Sequence, residues 1–177
     1  MRLIAGKFGG RIISAPNIKS VHPMSEKARG AIFSALGDIE GLSVVDAFSG
    51  SGSIGIEAYS RGAKYVVLVE KNKSAAKIIN QTISSMDIAE DVKVYNASVE
   101  KWTSFNKDKF DIVIADPPYD NFNLQTLDKL IASSLKQDGI FILSWPGRIA
   151  LPEFTSVVLI KSLSYGDASI GFYKSTL

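Results

Sequence analysis

Apolar residues along this chain fall into two alternating kinds of run. Short, unbroken stretches rich in Val, Ile and Leu predict strands at Leu42–Phe48, Tyr65–Glu70, Val92–Tyr95, Phe110–Ala115 and Ile140–Trp145. Between them, apolar positions recur at helical spacing over Ile54–Arg61, which Gly62 closes, over Ser74–Met86 and over Leu124–Leu135. Ahead of the first strand, Ser25 is placed to cap a helix over Lys27–Leu36. That helix puts Ala28, Ala31, Ile32 and Leu36 at helical spacing and ends at Gly37. Residues 1–21 are glycine-containing and extended, with a short strand or hairpin around Arg11-Ile12-Ile13. The tail, Ser156–Ser164 and Ser169–Tyr173, predicts two strands joined at Gly166-Asp167.

Strands without polar alternation, separated by helices, belong to a parallel sheet covered on both faces. The expected fold is therefore α/β, a doubly wound, mostly parallel sheet of seven strands with a C-terminal antiparallel edge hairpin. No repeat or long linker interrupts it. Residues 1–36 are expected to form a basic extension of hairpin plus helix, and residues 37–177 the core.

Composition narrows the chemistry. The 177 residues include no cysteine and one histidine, His22, which is read as a solvated loop residue. Thiolate zinc sites, cysteine nucleophiles, histidine metal sites and Ser-His-Asp triads are excluded, and no metal is expected. With 46% hydrophobic and 21% charged residues, the balance is that of an ordinary globular protein. No apolar run approaches the ~20 residues of a membrane span, and no signal-peptide pattern develops. A cytoplasmic monomer is expected. Charge is distributed unevenly. Residues 1–30 carry six basic side chains against the single acid Glu26, a net of +5, whereas the rest carries fourteen basic and seventeen acidic ones, a net of −3. A basic arm on a mildly acidic body suits a polyanionic partner, with Arg2, Lys7, Arg11 and Arg29 as candidate phosphate contacts.

Two segments carry specific chemistry. Gly50, Gly52 and Gly55 form G-x-G-x-x-G between the first strand and its helix, and Glu70 ends the second strand, 18 residues beyond Gly52. A carboxylate there can accept hydrogen bonds from both hydroxyls of an adenosine ribose. Asp46 precedes the glycines. It would repel the pyrophosphate of a dinucleotide but suits a cofactor with an ammonium and a sulfonium, which favours S-adenosylmethionine. Asp46 could alternatively brace the glycine turn. The second segment, Asp116-Pro117-Pro118-Tyr119, follows a predicted strand at the same sheet edge. Asp116 and the Pro117 carbonyl offer acceptors to the two N–H bonds of a base amino group. The paired prolines add no competing donors, and Tyr119 gives a ring on which an unpaired base can stack.

The segment Asp46 to Gly52 resembles the first motif of Rossmann-like class I methyltransferases. The whole chain resembles the RsmD-type family, which methylates guanine N2 in small-subunit ribosomal RNA. The resemblance rests on Ile4-Ala5-Gly6-Lys7-Phe8-Gly9-Gly10-Arg11, on Asp46 to Ala63, on Asp116 to Tyr119 and on Tyr165-Gly166-Asp167. It implies that Asp46, Phe48, Gly50, Gly52 and Glu70 hold S-adenosylmethionine, with Asn96 and Ala97 beside its adenine. It also implies that Asp116, Pro117, Pro118 and Tyr119 receive the guanine, and that ribosomal RNA or the small subunit is the partner. Where the family reads R-P-T-x-D-R-V-R-E, this chain departs, with His22-Pro23-Met24-Ser25-Glu26-Lys27-Ala28-Arg29-Gly30. That segment is expected to border both cofactor and RNA. Adenine-N6 methylation of DNA, a non-catalytic RNA-binding protein and, more remotely, an NAD-dependent oxidoreductase stay open as other outcomes of the same residues.

Overall fold

A computed structural model describes residues 1–14, 24–119 and 123–176. His22, Lys19 and the end of the predicted extended arm lie outside the described residues.

Among the described residues, seven strands form one sheet in the order β3-β2-β1-β4-β5-β7-β6. They are β1 (Ser43–Asp46), β2 (Tyr65–Val69), β3 (Val92–Tyr95), β4 (Phe110–Ala115), β5 (Leu135–Pro146), β6 (Val157–Tyr165) and β7 (Ala168–Ser175). The first five run parallel, while β7 is antiparallel to both β5 and β6. The predicted hairpin is present, and β6 forms the outer edge. Among the described residues, five helices cover the sheet: α1 (Glu26–Leu36), α2 (Ser53–Ser60), α3 (Lys73–Ser85), α4 (Val99–Phe105) and α5 (Leu124–Ser134). Among the described residues, no helix is long and apolar enough to cross a membrane.

The unbroken apolar strands follow from this layering. Neighbouring residues on a strand point to opposite faces. Val44, Leu68, Ile112 and Ile142 pack with Ile32, Ile56 and Ile79 of α1, α2 and α3. Val45, Val67, Val113 and Phe141 pack with Trp102 of α4 and with Leu127 and Ile131 of α5. Leu3, Ile13, Ile32 and Phe33 are buried in the first of these clusters, so the arm and α1 share the core of the sheet.

Three features depart from the expected elements. Helix α4 was not predicted, because its seven residues turn only Val99 and Trp102 inward, too few to show a period. Strand β5 begins at Leu135 rather than Ile140. The polar run Lys136-Gln137-Asp138-Gly139 reads as a turn, yet it continues the strand across a break in register opposite Phe110 and Ile112, with Asp138 at φ 62°. The arm forms an isolated antiparallel bridge, Arg2 to Ile12, rather than a strand pair.

Candidate active site

The carboxyl ends of β1, β2, β4 and β5 open onto a cleft of about 1020 Å³, the edge at which open α/β sheets bind ligands. Its walls include Phe48, Ser49, Gly50 and Ser51 of the turn after β1, Glu70 after β2 and Ala97 to Glu100 at the start of α4. They also include Asp116 to Tyr119 after β4, Ser144 of β5 and Ile170 of β7. Both segments singled out in the sequence therefore face one space.

The glycine turn is built by its surroundings. Gly52 caps α2 at φ 75°, and a Cβ there would lie 3.1 Å from the Ile79 side chain. Gly55 lets α2 settle on β2, since a Cβ would come within 2.6 Å of Leu68. Glu70 bridges the turn to the next helix: its carboxylate accepts the Gly50 N–H at 2.8 Å and the Asn72 N–H at 2.6 Å. It still lines the cleft, and each oxygen keeps a second lone pair for a ligand.

Asp46 is fully buried behind this wall. One oxygen accepts the Gly55 N–H at 3.0 Å, so the residue does brace the turn, while Oδ1 has no hydrogen-bond partner among the described residues. Burial pushes its pKa up to about 7 against that hydrogen bond, and the nearby charges of Asp116 and Glu70 push it the same way.

Three expected cofactor residues thus stand back from the cleft. Asp46 lies beneath it, Gly52 shapes the turn, and Asn96 spends its amide on the carbonyls of Glu70 and Lys71 at 2.9 and 3.1 Å. Phe48, Gly50, Glu70 and Ala97 line it directly.

At the other end, Asp116 is partly buried and its carboxyl is raised by desolvation, with hydrogen bonds from Ser144 and Tyr119 opposing the shift. The Tyr119 hydroxyl lies 2.8 Å from Ser144 Oγ and 3.5 Å from Asp116 Oδ1. Tyr119 is 42% exposed, and its ring meets Trp145 edge-on at 6.4 Å. Pro117 is buried and Pro118 exposed. Met24, Ser25 and Ala28 of the altered segment wall the cleft from α1, and Ser25 caps that helix by accepting the Ala28 N–H.

The candidate phosphate contacts divide. Arg2, Lys7 and Arg11 are exposed. Met1 approaches Ser51 at the cleft, but the arm then runs along α2 to its far end, where the Lys7 N–H donates to the Ser60 carbonyl. Lys7 Nζ sits 3.7 Å above the Tyr59 ring, and Arg11 donates to the Ser85 carbonyl at the end of α3. Arg29 corrects the sequence expectation. Its side chain is wholly buried, donating to the carbonyls of Arg2 and Met24 and facing Glu57 at 3.8 Å, so no phosphate can reach it.

Residues 1–174 match the family described as Conserved hypothetical protein 95. The chain belongs to this family. Over 182 residues it is 33% identical to "Ribosomal RNA small subunit methyltransferase D" of Haemophilus influenzae, covering 99% of this chain and 94% of the relative. Over 181 residues it is 28% identical to "Putative rRNA methyltransferase YlbH" of Bacillus subtilis, covering 98% of each. The fold matches the solved structure "Putative methyltransferase yhhF" from Escherichia coli at a TM-score of 0.89 and 22% identity, over 99% of this chain and 97% of that one. The architecture of this Conserved hypothetical protein 95 member is that of the Rossmann-like methyltransferases.

Two residues were not singled out in the sequence: Ser144, which lines the cleft, and Glu57, which lies behind it and ties the arm to α2. Ser144 gives no signal, being one serine in an apolar strand. Glu57 does give one: it is the only charged residue in the otherwise apolar helix Ser53–Ser60. Its carboxylate accepts the N–H groups of Ile4 and Ala5 and the side chain of Arg61. Those bonds, with Ser60 donating to the Ala5 carbonyl and accepting the Phe8 N–H, fasten the Ile4–Arg11 segment to the C-terminal half of α2.

Proposed function

We propose that this chain is an S-adenosylmethionine-dependent methyltransferase acting on the N2 amino group of a guanine in small-subunit ribosomal RNA. The observation that carries this is the convergence of four carboxylates on one cleft, with Glu70, Glu100 and Asp116 in its walls and Asp46 buried behind them. Such a cleft repels phosphate and attracts a cationic cofactor. The partnerless buried oxygen of Asp46 fits a bound positive charge that compensates it. Glu70 would take the ribose hydroxyls on its free lone pairs, and Phe48, Gly50 and Ala97 would enclose the nucleoside, with Asn96 holding the Glu70 backbone in place.

When bound, S-adenosylmethionine supplies an electrophilic methyl group on sulfur. The chain's own residues act on the nucleophile. A base amino group is a poor nucleophile because its lone pair is delocalised into the ring. Asp116 and the Pro117 carbonyl accept its two N–H bonds and turn the lone pair out of conjugation. Pro118 stiffens the turn, and Tyr119 stacks the base. Orientation and electrostatic fit provide the acceleration without a covalent intermediate.

The small-subunit rRNA named in the relatives supports the choice of RNA. Residues 1–36, through Arg2, Lys7 and Arg11, would add contacts to the RNA backbone, and residues 37–177 the chemistry, in a monomer working in the cytoplasm. Transfer of labelled methyl to naked RNA, to assembled small subunits and to duplex DNA tests the proposal. Label in RNA is expected, label in DNA adenine alone would move the enzyme to another substrate, and no transfer to any of the three would leave a binding protein.

A further inference from the structure

The Tyr165-Gly166-Asp167 motif closes the β6–β7 hairpin, and the acceptor chemistry makes no use of it. Tyr165 pairs with Ala168 as the last rung of that hairpin, across a two-residue turn with Gly166 at φ 56°. The Gly147 N–H donates to the Asp167 carbonyl at 2.7 Å and Pro146 pairs with Ala168, so the turn is fastened to the end of β5. Tyr165, Ala168 and Ile170 line the cleft, and Ile170 pairs with Ser144, whose hydroxyl meets that of Tyr119. One wall therefore runs from Tyr119 over β5 and β7 to the half-buried Tyr165 on β6, two strand spacings or about 10 Å beyond β5. On α1, Lys27 is exposed and holds its Nζ 5.8 Å from the centre of the Tyr165 ring.

A base seated on Tyr119 has left its stack, and the nucleotide beside it loses a stacking partner at the same time. A ring fixed in place by a hairpin can replace that partner, because every base has a π-face whatever its identity. Charge confines the backbone. Glu70, Glu100 and Asp116 in the cleft wall repel phosphate, so the phosphates stay at the rim, where Lys27 stands beside the ring. At 5.8 Å the cation–ring contact is loose, and Lys27 can turn to a phosphate and leave the ring face to a base. The other exposed charges on the first turn of α1, the turn after β5 and the hairpin turn are Glu26, Arg148 and Asp167. With Lys27 they cancel, so this rim is a ring with one adjacent cation and not a general basic patch.

We propose that Tyr165 and Lys27 form a subsite for the unpaired nucleotide next to the target guanosine, with Tyr165 stacking its base and Lys27 holding a phosphate. The subsite rests on the RNA substrate proposed above.

Filter binding of the full chain to a single-stranded RNA oligonucleotide, and to the duplex it forms with its complement, tests the subsite. Methyl transfer to small subunits, calorimetry with S-adenosylmethionine and thermal melting accompany it. Tyr165→Ala should weaken binding to the single strand about tenfold, within the range of a lost base–aromatic stack, and to the duplex less than threefold. It should raise KM for the subunit about tenfold, with kcat and cofactor affinity changed less than threefold. Tyr165→Phe keeps the ring and should stay within twofold of the parent. Because Tyr165 also packs against the core, Tyr165→Leu, which fills space without a flat ring, stands in should the Ala variant fail to fold, with the same losses expected. Lys27→Ala should reduce the slope of log affinity against log salt for the single strand by about 0.7, and Tyr165→Ala should leave it unchanged. Parent-like single-strand affinity in the Ala or Leu variant, an equal loss on the duplex, a Phe variant as weak as the Ala one, or an unmoved slope in Lys27→Ala would overturn the subsite. Methyl transfer by a parent whose RNA affinity is indifferent to Tyr165 would overturn the subsite and leave the proposed function standing. Ring-dependent binding of single-stranded RNA without methyl transfer to any nucleic acid would do the reverse.

Discussion

Arg29 of α1 and Glu57 of α2 face each other in the interior, guanidinium Nε 3.8 Å from a carboxylate oxygen, with both side chains fully excluded from solvent. Glu57 also gathers Arg61 and the N–H groups of Ile4 and Ala5, and Arg29 also holds the carbonyls of Arg2 and Met24. The pair therefore ties arm, α1 and α2 into one unit, and α1 in turn carries Met24, Ser25 and Ala28 into the cleft wall.

Removing either partner strands a buried charge. Glu57→Ala is expected to destabilise the fold by about 3–5 kcal/mol and to expose the arm to proteolysis. Urea unfolding and limited proteolysis measure both. A loss below about 1 kcal/mol would mean that water reaches the pair.

Glu70 has two duties that can be separated. Glu70→Ala should weaken S-adenosylmethionine binding by about 1.5–3 kcal/mol through loss of charge-assisted bonds to the ribose. It should also lower the melting temperature without cofactor, because the N–H groups of Gly50 and Asn72 lose their acceptor. Glu70→Gln keeps one carbonyl oxygen and should fall between the two. Parent-like affinity in Glu70→Ala, measured by calorimetry, would contradict the ribose assignment.

Asp46 makes stability depend on pH. Its folded pKa is raised to about 7 by burial, so the folded chain keeps a proton that the unfolded chain has already released. Stability is therefore lost as pH rises from the ordinary carboxylate range to about 7 and levels off above, by at most about 4 kcal/mol. Asp46→Asn keeps an acceptor for Gly55 and should flatten that decline. A cationic cofactor would favour the ionised form, so affinity for S-adenosylmethionine should rise between pH 6 and 8 in the parent and stay level in the Asn variant. Melting curves and calorimetry across that range check both.

Much of this architecture was legible because the chain repeats one physical theme. Val44-Val45, Val66–Val69 and Ile112–Ala115 are apolar at successive positions because helices cover both faces of the sheet, and the glycine turn is readable because a left-handed backbone packed against Ile79, as at Gly52, favours glycine. What escaped had no pattern to show. Helix α4 turns two residues inward, the first half of β5 is polar, and Ser144 meets Tyr119, 25 residues away in sequence, only in the fold. The charge of Arg29 suggests a surface, and the clue to its burial lies elsewhere, in the solitary Glu57 of α2.

The arm separates exposed from buried cations. Changing Arg2, Lys7 and Arg11 together to Ala should lower RNA affinity and reduce the slope of log affinity against log salt by about 0.7–0.9 per lost contact, with cofactor affinity unchanged. Arg29→Lys should leave the slope as it is. Filter binding at several salt concentrations reads the slopes. An unmoved slope in the triple variant would show that RNA docks on another face.

Asp116 is proposed to hold a guanine amino group for methylation. Small subunits lacking the modification are incubated with the protein and labelled S-adenosylmethionine, and the RNA is digested and its nucleosides identified by mass spectrometry. N2-methylguanosine is expected from the parent, with at least a hundredfold slower transfer by a folded Asp116→Ala variant, about 2.7 kcal/mol of lost transition-state stabilisation. Transfer by that variant within threefold of the parent, or a product methylated at any other position, would contradict it.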